Sequence, residues 1–472
     1  MAWHWFAVPA RSAKSIKSVM RDNAGRMVAG DAYVVNDPYH GGTHQPDVTV
    51  ITPVFDRTGG AILFYVGSRG HHADVGGITP GSMPPFSHSL DDEGVRFINF
   101  RLIEGQGVGQ PGRLREDELM RLLTGGRHPA RNPAQNVADL RAQIAANEKG
   151  REELLRMVEQ FGLDVVRAYM RHVQANAEES VRHVITRLRD GAYDLRLDNG
   201  ALIRVKIRVD RECRAATIDF SGTSPQLSNN FNAPSAVCVA AVLYVFRTLV
   251  DDAIPLNAGC LKPLEIVIPR GSMLNPDYPA AVVAGNVETS SCITNALYGA
   301  LGVMASAQGT MNNFTFGNER YQYYETISGG SGAGLADPED PATGFPGTDV
   351  VQTHMTNSRL TDPEVLEFRY PVRLESYVIR AGSGGVGRWR GGNGGTRRVR
   401  FLEPMTASIL ANNRSTVPFG MAGGGPGAPG RNWVERTDGR REELPHIGSV
   451  AMRPGDVFVI ETPGGGGYGS TQ

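Results

Sequence analysis

Residues 31–55, DAYVVNDPYHGGTHQPDVTVITPVF, and the run AILFYV at 61–66 set short β-branched stretches between Gly, Pro and Asp, which is the chemistry of strands joined by tight loops. The His and Asp residues of this stretch therefore fall in loops at strand ends. From 137 to 190 the period changes: Leu140, Ile144, Leu154, Val158, Phe161, Val165, Tyr169 and Val173 recur at three- or four-residue steps with Glu and Arg between them, predicting helix. Gly150 and Gly162 are expected to divide it into two or three helices. Alternation returns at 201–209 and 216–220 and ends in the turn signal Ser-Gly-Thr-Ser, predicting a strand meander. Residues 236–250 and 292–307 read as buried small-residue helices, the second opening at Thr289, Ser290 and Ser291, which are N-cap residues. Residues 334–347 read as a loop and a boundary, and the chain after Glu364 as strands and glycine turns. The expected fold is mixed α+β, without the βαβ alternation of a doubly wound sheet. Four regions are expected: a strand-and-loop region at 1–136 with a metal site, a helical segment at 137–195, a mixed α/β core at 196–335 and a β-rich region at 336–472.

A chain of 472 residues exceeds the roughly 250 to 300 at which single cores stop growing, so two or three are expected. Lys and Arg (48) nearly balance Asp and Glu (49), which removes the broad positive field that nucleic acid or an anionic membrane requires. The longest apolar run, 236–246, falls short of the roughly 20 residues that span a bilayer. The basic N-terminus faintly suggests a transit peptide but lacks a secretory apolar region; a cytoplasmic protein is expected. Cys213, Cys238, Cys260 and Cys292 form no C-x-x-C pair, so free thiols are expected, with neither a zinc knuckle nor a disulfide framework. Among the 58 glycines, clusters stand at 329–334, 382–395, 420–430 and 464–469 without a repeating period.

The chemistry concentrates early. Residues 36–47 hold His40, His44, Asp37 and Asp47, residues 70–77 add His71, His72 and Asp74, and His88, Asp91 and Asp92 follow. Pro46 biases Gln45 towards extended geometry, and with about three residues per polyproline turn His44 and Asp47 project from one edge. Neighbours in an extended segment point oppositely, so only one of His71 and His72 should join them. Two imidazoles and a carboxylate with open positions suit Mn, Fe or Zn acting on water or a carbonyl; the competing reading makes these residues turn and cap formers. Residues 329–334, GGSGAG, could cradle an anion but lack the Lys-Ser/Thr of a P-loop, and DVGGIT at 74–79 is similar in isolation to a phosphate loop of actin-like ATPases, with no second such motif. Glu288, Glu325 and His354 with Asn357 are weaker acid/base candidates.

Seven blocks taken together decide between these readings: NDPYHGGTHQPDVTVITPVF (36–55), SRGHHADVGGITPGSMPP (68–85), DLRAQIAANEKG (139–150), AGNVETS (284–290), YQYYETISGGSGAG (321–334), THMTNSRLTDPEVLE (353–367) and GDVFVIETPGGGGYG (455–469). In this order they closely resemble the hydantoinase B/oxoprolinase family from about residue 15 to 469, most of all the B portion of members that open 5-oxo-L-proline to L-glutamate with ATP. The resemblance implies a hetero-oligomer in glutathione metabolism, in which an A-type partner of actin-like ATPase fold binds ATP and phosphorylates the substrate's carbonyl oxygen. In the related acetone carboxylases a His-x-x-Asp pair and a later His hold manganese, which matches His44, Asp47 and His71 here, with His72 as the alternative third ligand. It further suggests His72 and Glu288 as catalytic, Asn286, Glu325 and Gly330 as substrate-binding, and Asp37 and Asp74 as residues orienting the imidazoles. N-methylhydantoinase and acetone-carboxylase-like activities are the alternatives. A third is an inactive fragment or scaffold component, because family members continue upstream where this chain has MAWHWFAVPARSAK, with Trp3, Trp5 and Phe6 expected to be exposed.

Overall fold

The structure, a computed structural model, describes residues 8–471 apart from 338, 341 and 357; the expectations for Trp3, Trp5, Phe6 and Asn357 lie outside the described residues. The mixed α+β fold is observed. A five-stranded antiparallel sheet runs in the order Ile62–His71, Asp47–Phe55, Ala32–Val35, Phe100–Glu104, Arg113–Leu114. Its central strands are apolar on both faces because both are covered. Val34, Val48 and Val50 pack under Val137 and Leu140 of the helix Pro133–Phe161, while Tyr33, Val35 and Ile51 pack against Val19 of the helix Val8–Asp22.

The helix Pro133–Phe161 passes through Gly150 without a break, correcting the expectation of a boundary there. A Cβ at Gly150 would lie 2.9 Å from Val66 Cγ1, so this glycine serves close approach of helix to strand. Gly162, at φ +83°, does end the helix, and Leu163–Ile185 follows. Periodicity located these helices but not their buried face: Phe161, Val165, Tyr169 and Val173 are exposed, while Val166, Ala177, Val181 and Ile185 are buried.

Strands Leu202–Asp210 and Ala215–Asp219 form the expected antiparallel meander, and Gly191–Arg196, inside the segment expected to be helical to 195, is a further strand paired with the first of them. Leu264–Val267 then adds in parallel after a crossover through the helix Ser235–Thr248. This sheet and the helices Ser235–Thr248 and Ser290–Leu301 enclose the largest apolar core. The second of these helices does not open on a hydroxyl cap. The chain enters it through a π-turn, Gly285–Thr289, and the Thr289 hydroxyl donates to Phe231 O instead. Ser290, Ser291 and Thr294 donate back to the carbonyls of Asn286, Val287 and Ser290, which satisfies hydroxyls in a helix buried on nearly every side.

The C-terminal strands form two sheets, one in the order Gln322–Glu325, Asn313–Gly317, Met405–Leu410, Ile447–Met452 and the other Val372–Ile379, Gly395–Phe401, Val457–Glu461, Arg431–Glu435, Arg441–Leu444. They pack face to face, Phe314 on Phe458 at 4.8 Å and Phe316 on Phe401 at 5.4 Å between ring centroids. The glycine clusters meet at one end of this sandwich. A Cβ on Gly330 would stand 1.9 Å from Gly392 O, so backbone lies directly on backbone there. The four cysteines are free. No helix among the described residues is long and apolar enough to cross a membrane.

Candidate metal centre

The loop between Ala32–Val35 and Asp47–Phe55 is folded back by its own polar side chains. Asn36 Nδ2 donates to Gln45 O and Val95 O at 2.8 and 2.9 Å, and Asp37 Oδ1 caps the short 3-10 turn Pro38–His40 through Tyr39 N at 2.8 Å. This return brings His44 Nδ1 within 3.3 Å of Asp47 Oδ2. Strand register supplies the third group, because Asp47 stands opposite His71 and His71 Nδ1 lies 3.2 Å from Asp47 Oδ1. One ligand atom from each of His44, Asp47 and His71 falls within 4.8 Å of the others, and the side chains are 1, 3 and 11% exposed. Burial alone would raise the Asp47 carboxyl, but the two imidazoles outweigh it and hold it well below the usual carboxylate range. An ionised carboxylate and two imidazoles on one edge fit a divalent ion of the Mn, Fe or Zn type.

Distant segments complete the site. Thr43 Oγ1 donates to Asp47 Oδ2 at 3.0 Å, and Asn286 Nδ2, on the π-turn, reaches His44 Nδ1 at 2.9 Å and Asp47 Oδ2 at 3.3 Å. The Tyr324 ring lies 5.1 Å from that of His71, and its hydroxyl donates to Asn313 Oδ1 at 2.8 Å. Asn313 Nδ2 in turn donates to Glu288 Oε1 at 2.7 Å. Burial lifts the Glu288 carboxyl to about 7, against the hydrogen bonds from Thr310, Met311 N and Asn313 and the charge of Arg414.

The model of the Hydantoinase B/oxoprolinase family matches residues 4–471. The chain belongs to the hydantoinase B/oxoprolinase family. Within it, 5-oxoprolinase 1 of Arabidopsis thaliana is 45% identical over 93% of this chain and 36% of that protein. The 5-oxoprolinase of Saccharomyces cerevisiae is 43% identical over 94% of this chain and 36% of its own length. The chain thus spans about a third of the 5-oxoprolinases it matches. It covers 78% of a protein of Pseudomonas sp. strain NS671 named as a D-/L-hydantoinase component, at 30% identity over 97% of this chain. The fold is shared with an ATP-dependent caprolactamase from Pseudomonas jessenii, with a TM-score of 0.83 and 24% identity over 98% of this chain and 81% of that one. A nucleotide-free acetone carboxylase also shares it, with a TM-score of 0.85 and 18% identity over 98% and 68%.

Several family-motif residues lie apart from this centre. His72 points to the other face of the sheet, as alternation requires, with Nε2 3.1 Å from Gln143 Oε1 and Nδ1 3.0 Å from Asn136 Nδ2; burial lowers its pKa. Asp37 and Asp74 do not orient the site imidazoles. Asp37 is engaged by Arg96 Nε at 2.9 Å and lies 3.0 Å from His40 Nδ1, and Asp74 accepts from Gly76 N, Gly81 N and Arg131, because each shapes its own loop. Glu325 follows Tyr324 in a strand and so faces away from it, into a bidentate pair with Arg397 at 2.7 and 2.9 Å. Gly330 N donates to Pro463 O and Gly330 O accepts from Gln308 N, so this part of the glycine loop is spent on backbone partners. His354 sits between the rings of Tyr244 and Tyr298. Asp92 ends the 3-10 turn Leu90–Asp92 and its Oδ2 accepts from His88 N and Ser89 N just ahead of it, and Asp91 lies 3.4 Å from Arg96 Nη1. The sequence pattern does not single out Tyr324, Asn313 or Thr43. Only their places inside or beside family blocks signal them.

Glu93 fastens the π-turn to this half of the molecule. Its Oε1 accepts from Val282 N and Val283 N, each at 2.9 Å, and from Ser87 Oγ at 3.0 Å. Burial raises its carboxyl from 4.5 to about 8, against these hydrogen bonds. The native state therefore keeps a proton that the unfolded chain gives up, and stability should fall as pH rises from 4.5 to about 8, then level off. Glu93→Gln is expected to flatten that slope by an amount on the order of a few kcal/mol. Urea midpoints of the two proteins at pH 5 and pH 8 measure it; parallel pH profiles would refute the assignment.

Proposed function

We propose that this chain is the B component of an ATP-dependent cyclic-amide hydrolase that opens 5-oxo-L-proline to L-glutamate, with ATP bound and cleaved in an A-type partner of actin-like ATPase fold. The observation that carries this reading is the buried His44, Asp47 and His71 set in a chain 45% identical to a 5-oxoprolinase. A lactam is a poor electrophile, and phosphorylation of its oxygen by the partner turns that oxygen into a leaving group. A divalent metal held by His44, Asp47 and His71 would supply Lewis acidity and lower the pKa of water at the carbonyl. The protein's own groups hold the geometry: Asn286 and Thr43 fix the Asp47 carboxylate, and the Tyr324 ring covers His71 and keeps bulk water off it. We assign proton transfer to Glu288, whose carboxyl near 7 is matched to that task. His72 acts in this reading as a positioning residue, holding the strand end behind His71. A cytoplasmic protein acting in glutathione metabolism follows from the same reading.

The test is reconstitution. The chain with its cognate A-type protein is expected to form ADP and glutamate from ATP and 5-oxo-L-proline, and the chain alone to do neither. The likeness to a hydantoinase component favours a second substrate, so turnover of N-methylhydantoin but not of 5-oxo-L-proline would replace the first reading with a hydantoinase. No turnover of either substrate would make the chain a scaffold component.

A further inference from the structure

The face of the sheet that carries the metal-type ligands also carries a buried cation. In the register of the two strands Asp47 stands opposite His71, and two pairs further Thr49 stands opposite Arg69. Side chains two residues apart share a face, so Arg69 projects on the His71 side, about 7 Å along the strand. Arg69 is 7% exposed. Its Nε donates to Thr49 Oγ1 at 2.7 Å and its Nη2 to Ser15 Oγ at 3.0 Å, both neutral acceptors. Nη1 is buried with no hydrogen-bond partner among the described residues. A guanidinium stays protonated in a protein, and a buried charge demands a counter-charge. The charge that acts in its favour is Asp47's, but both oxygens of Asp47 are already engaged by His44, His71, Thr43 and Asn286.

We infer that Arg69 is the anion subsite of this centre and takes, through Nη1, the carboxylate of a carboxylated cyclic amide whose ring amide faces His44, Asp47 and His71. The inference rests on the cyclic-amide reading and names a feature that separates substrates within it. 5-Oxo-L-proline carries such a carboxylate; 2-pyrrolidone is the same ring without it.

Isothermal titration calorimetry of the full chain with 5-oxo-L-proline, 2-pyrrolidone and inorganic phosphate tests this. The wild type is expected to prefer 5-oxo-L-proline over 2-pyrrolidone by roughly 10- to 100-fold, the worth of one charge-assisted hydrogen bond in a buried site. Arg69→Met should erase the preference with an unchanged circular-dichroism spectrum. Should Arg69→Met not fold, Arg69→Lys carries the test: it keeps the charge without the planar fork and should lose roughly tenfold of the preference. Equal wild-type affinities for the two lactams, or an undiminished preference in Arg69→Lys, would overturn the inference. Phosphate displacing 5-oxo-L-proline in an Arg69-dependent way, with no preference between the lactams, would assign the subsite to a phosphoryl group and overturn it as well. An Arg69-dependent preference without turnover in the reconstituted system would remove the proposed function and leave the subsite. Turnover with a KM indifferent to Arg69→Lys would do the reverse.

Discussion

Replacing His44 with alanine is expected to strip the protein of most of its divalent metal, read by elemental analysis of wild type and variant purified side by side. His44 is one of three donors that converge within 4.8 Å, and each donor removed from such a set takes away a bond that the protein's rigidity has already prepared. Outer-shell changes around metal ligands cost about 10- to 100-fold in affinity. The loss at His44 should exceed that range, while Asn286→Ala, which removes the amide beside His44 and Asp47, should fall within it. Turnover in the reconstituted system should follow occupancy. Wild-type metal content in His44→Ala would dismiss the centre and return His44 and Asp47 to the role of loop formers.

Arg397→Met is expected to destabilise the protein by about 3–5 kcal/mol, the cost of stranding one member of a buried ion pair. Arg397 and Glu325 are 2 and 3% exposed at the side chain, and Glu325 Oε2 also accepts from Tyr323 O–H at 2.9 Å. Without the guanidinium the carboxylate keeps one hydroxyl donor inside the sandwich core. The double variant Glu325→Leu with Arg397→Met should recover most of the loss, since replacing both partners by apolar groups removes the unpaired charge. Denaturant midpoints of the single and double variants measure this. The same series tests the substrate-binding role that the family block suggested for Glu325. A structural Glu325 predicts that Glu325→Gln lowers stability and leaves KM unchanged, and a raised KM at wild-type stability would restore it to the substrate.

Sequence alone was enough wherever neighbours along the chain decide the outcome. The adjacency of His44 and Asp47 over three residues was legible, although a hydrogen-bonded turn with Asp47 N on His44 O at 3.1 Å makes it, in place of the expected extended stretch, and strand alternation sends His71 and His72 to opposite faces of the sheet. The helical period of 137–190 and, past the short helix Pro363–Arg369, the β character after Glu364 were legible for the same reason: a period of 3.6 or 2 is a property of the local backbone. What the tertiary structure alone decided involves partners far apart in sequence. Asn286 is 242 residues from His44, and Tyr324 reaches His71 only because two sheets pack as they do. No local spacing encodes such a meeting, which depends on how several cores bury their surfaces together. Burial likewise chose which stripe of the helix Leu163–Ile185 faces inward, made Gly150 a contact instead of a break, and set Tyr324 on the metal-type ligands while its neighbour Glu325 pairs with Arg397. Sequence determined the local pairing of ligands, because bond geometry over a few residues fixes it. Only the packed molecule determined their surroundings, because those are set by the global competition to remove apolar surface from water while leaving buried polar groups partnered.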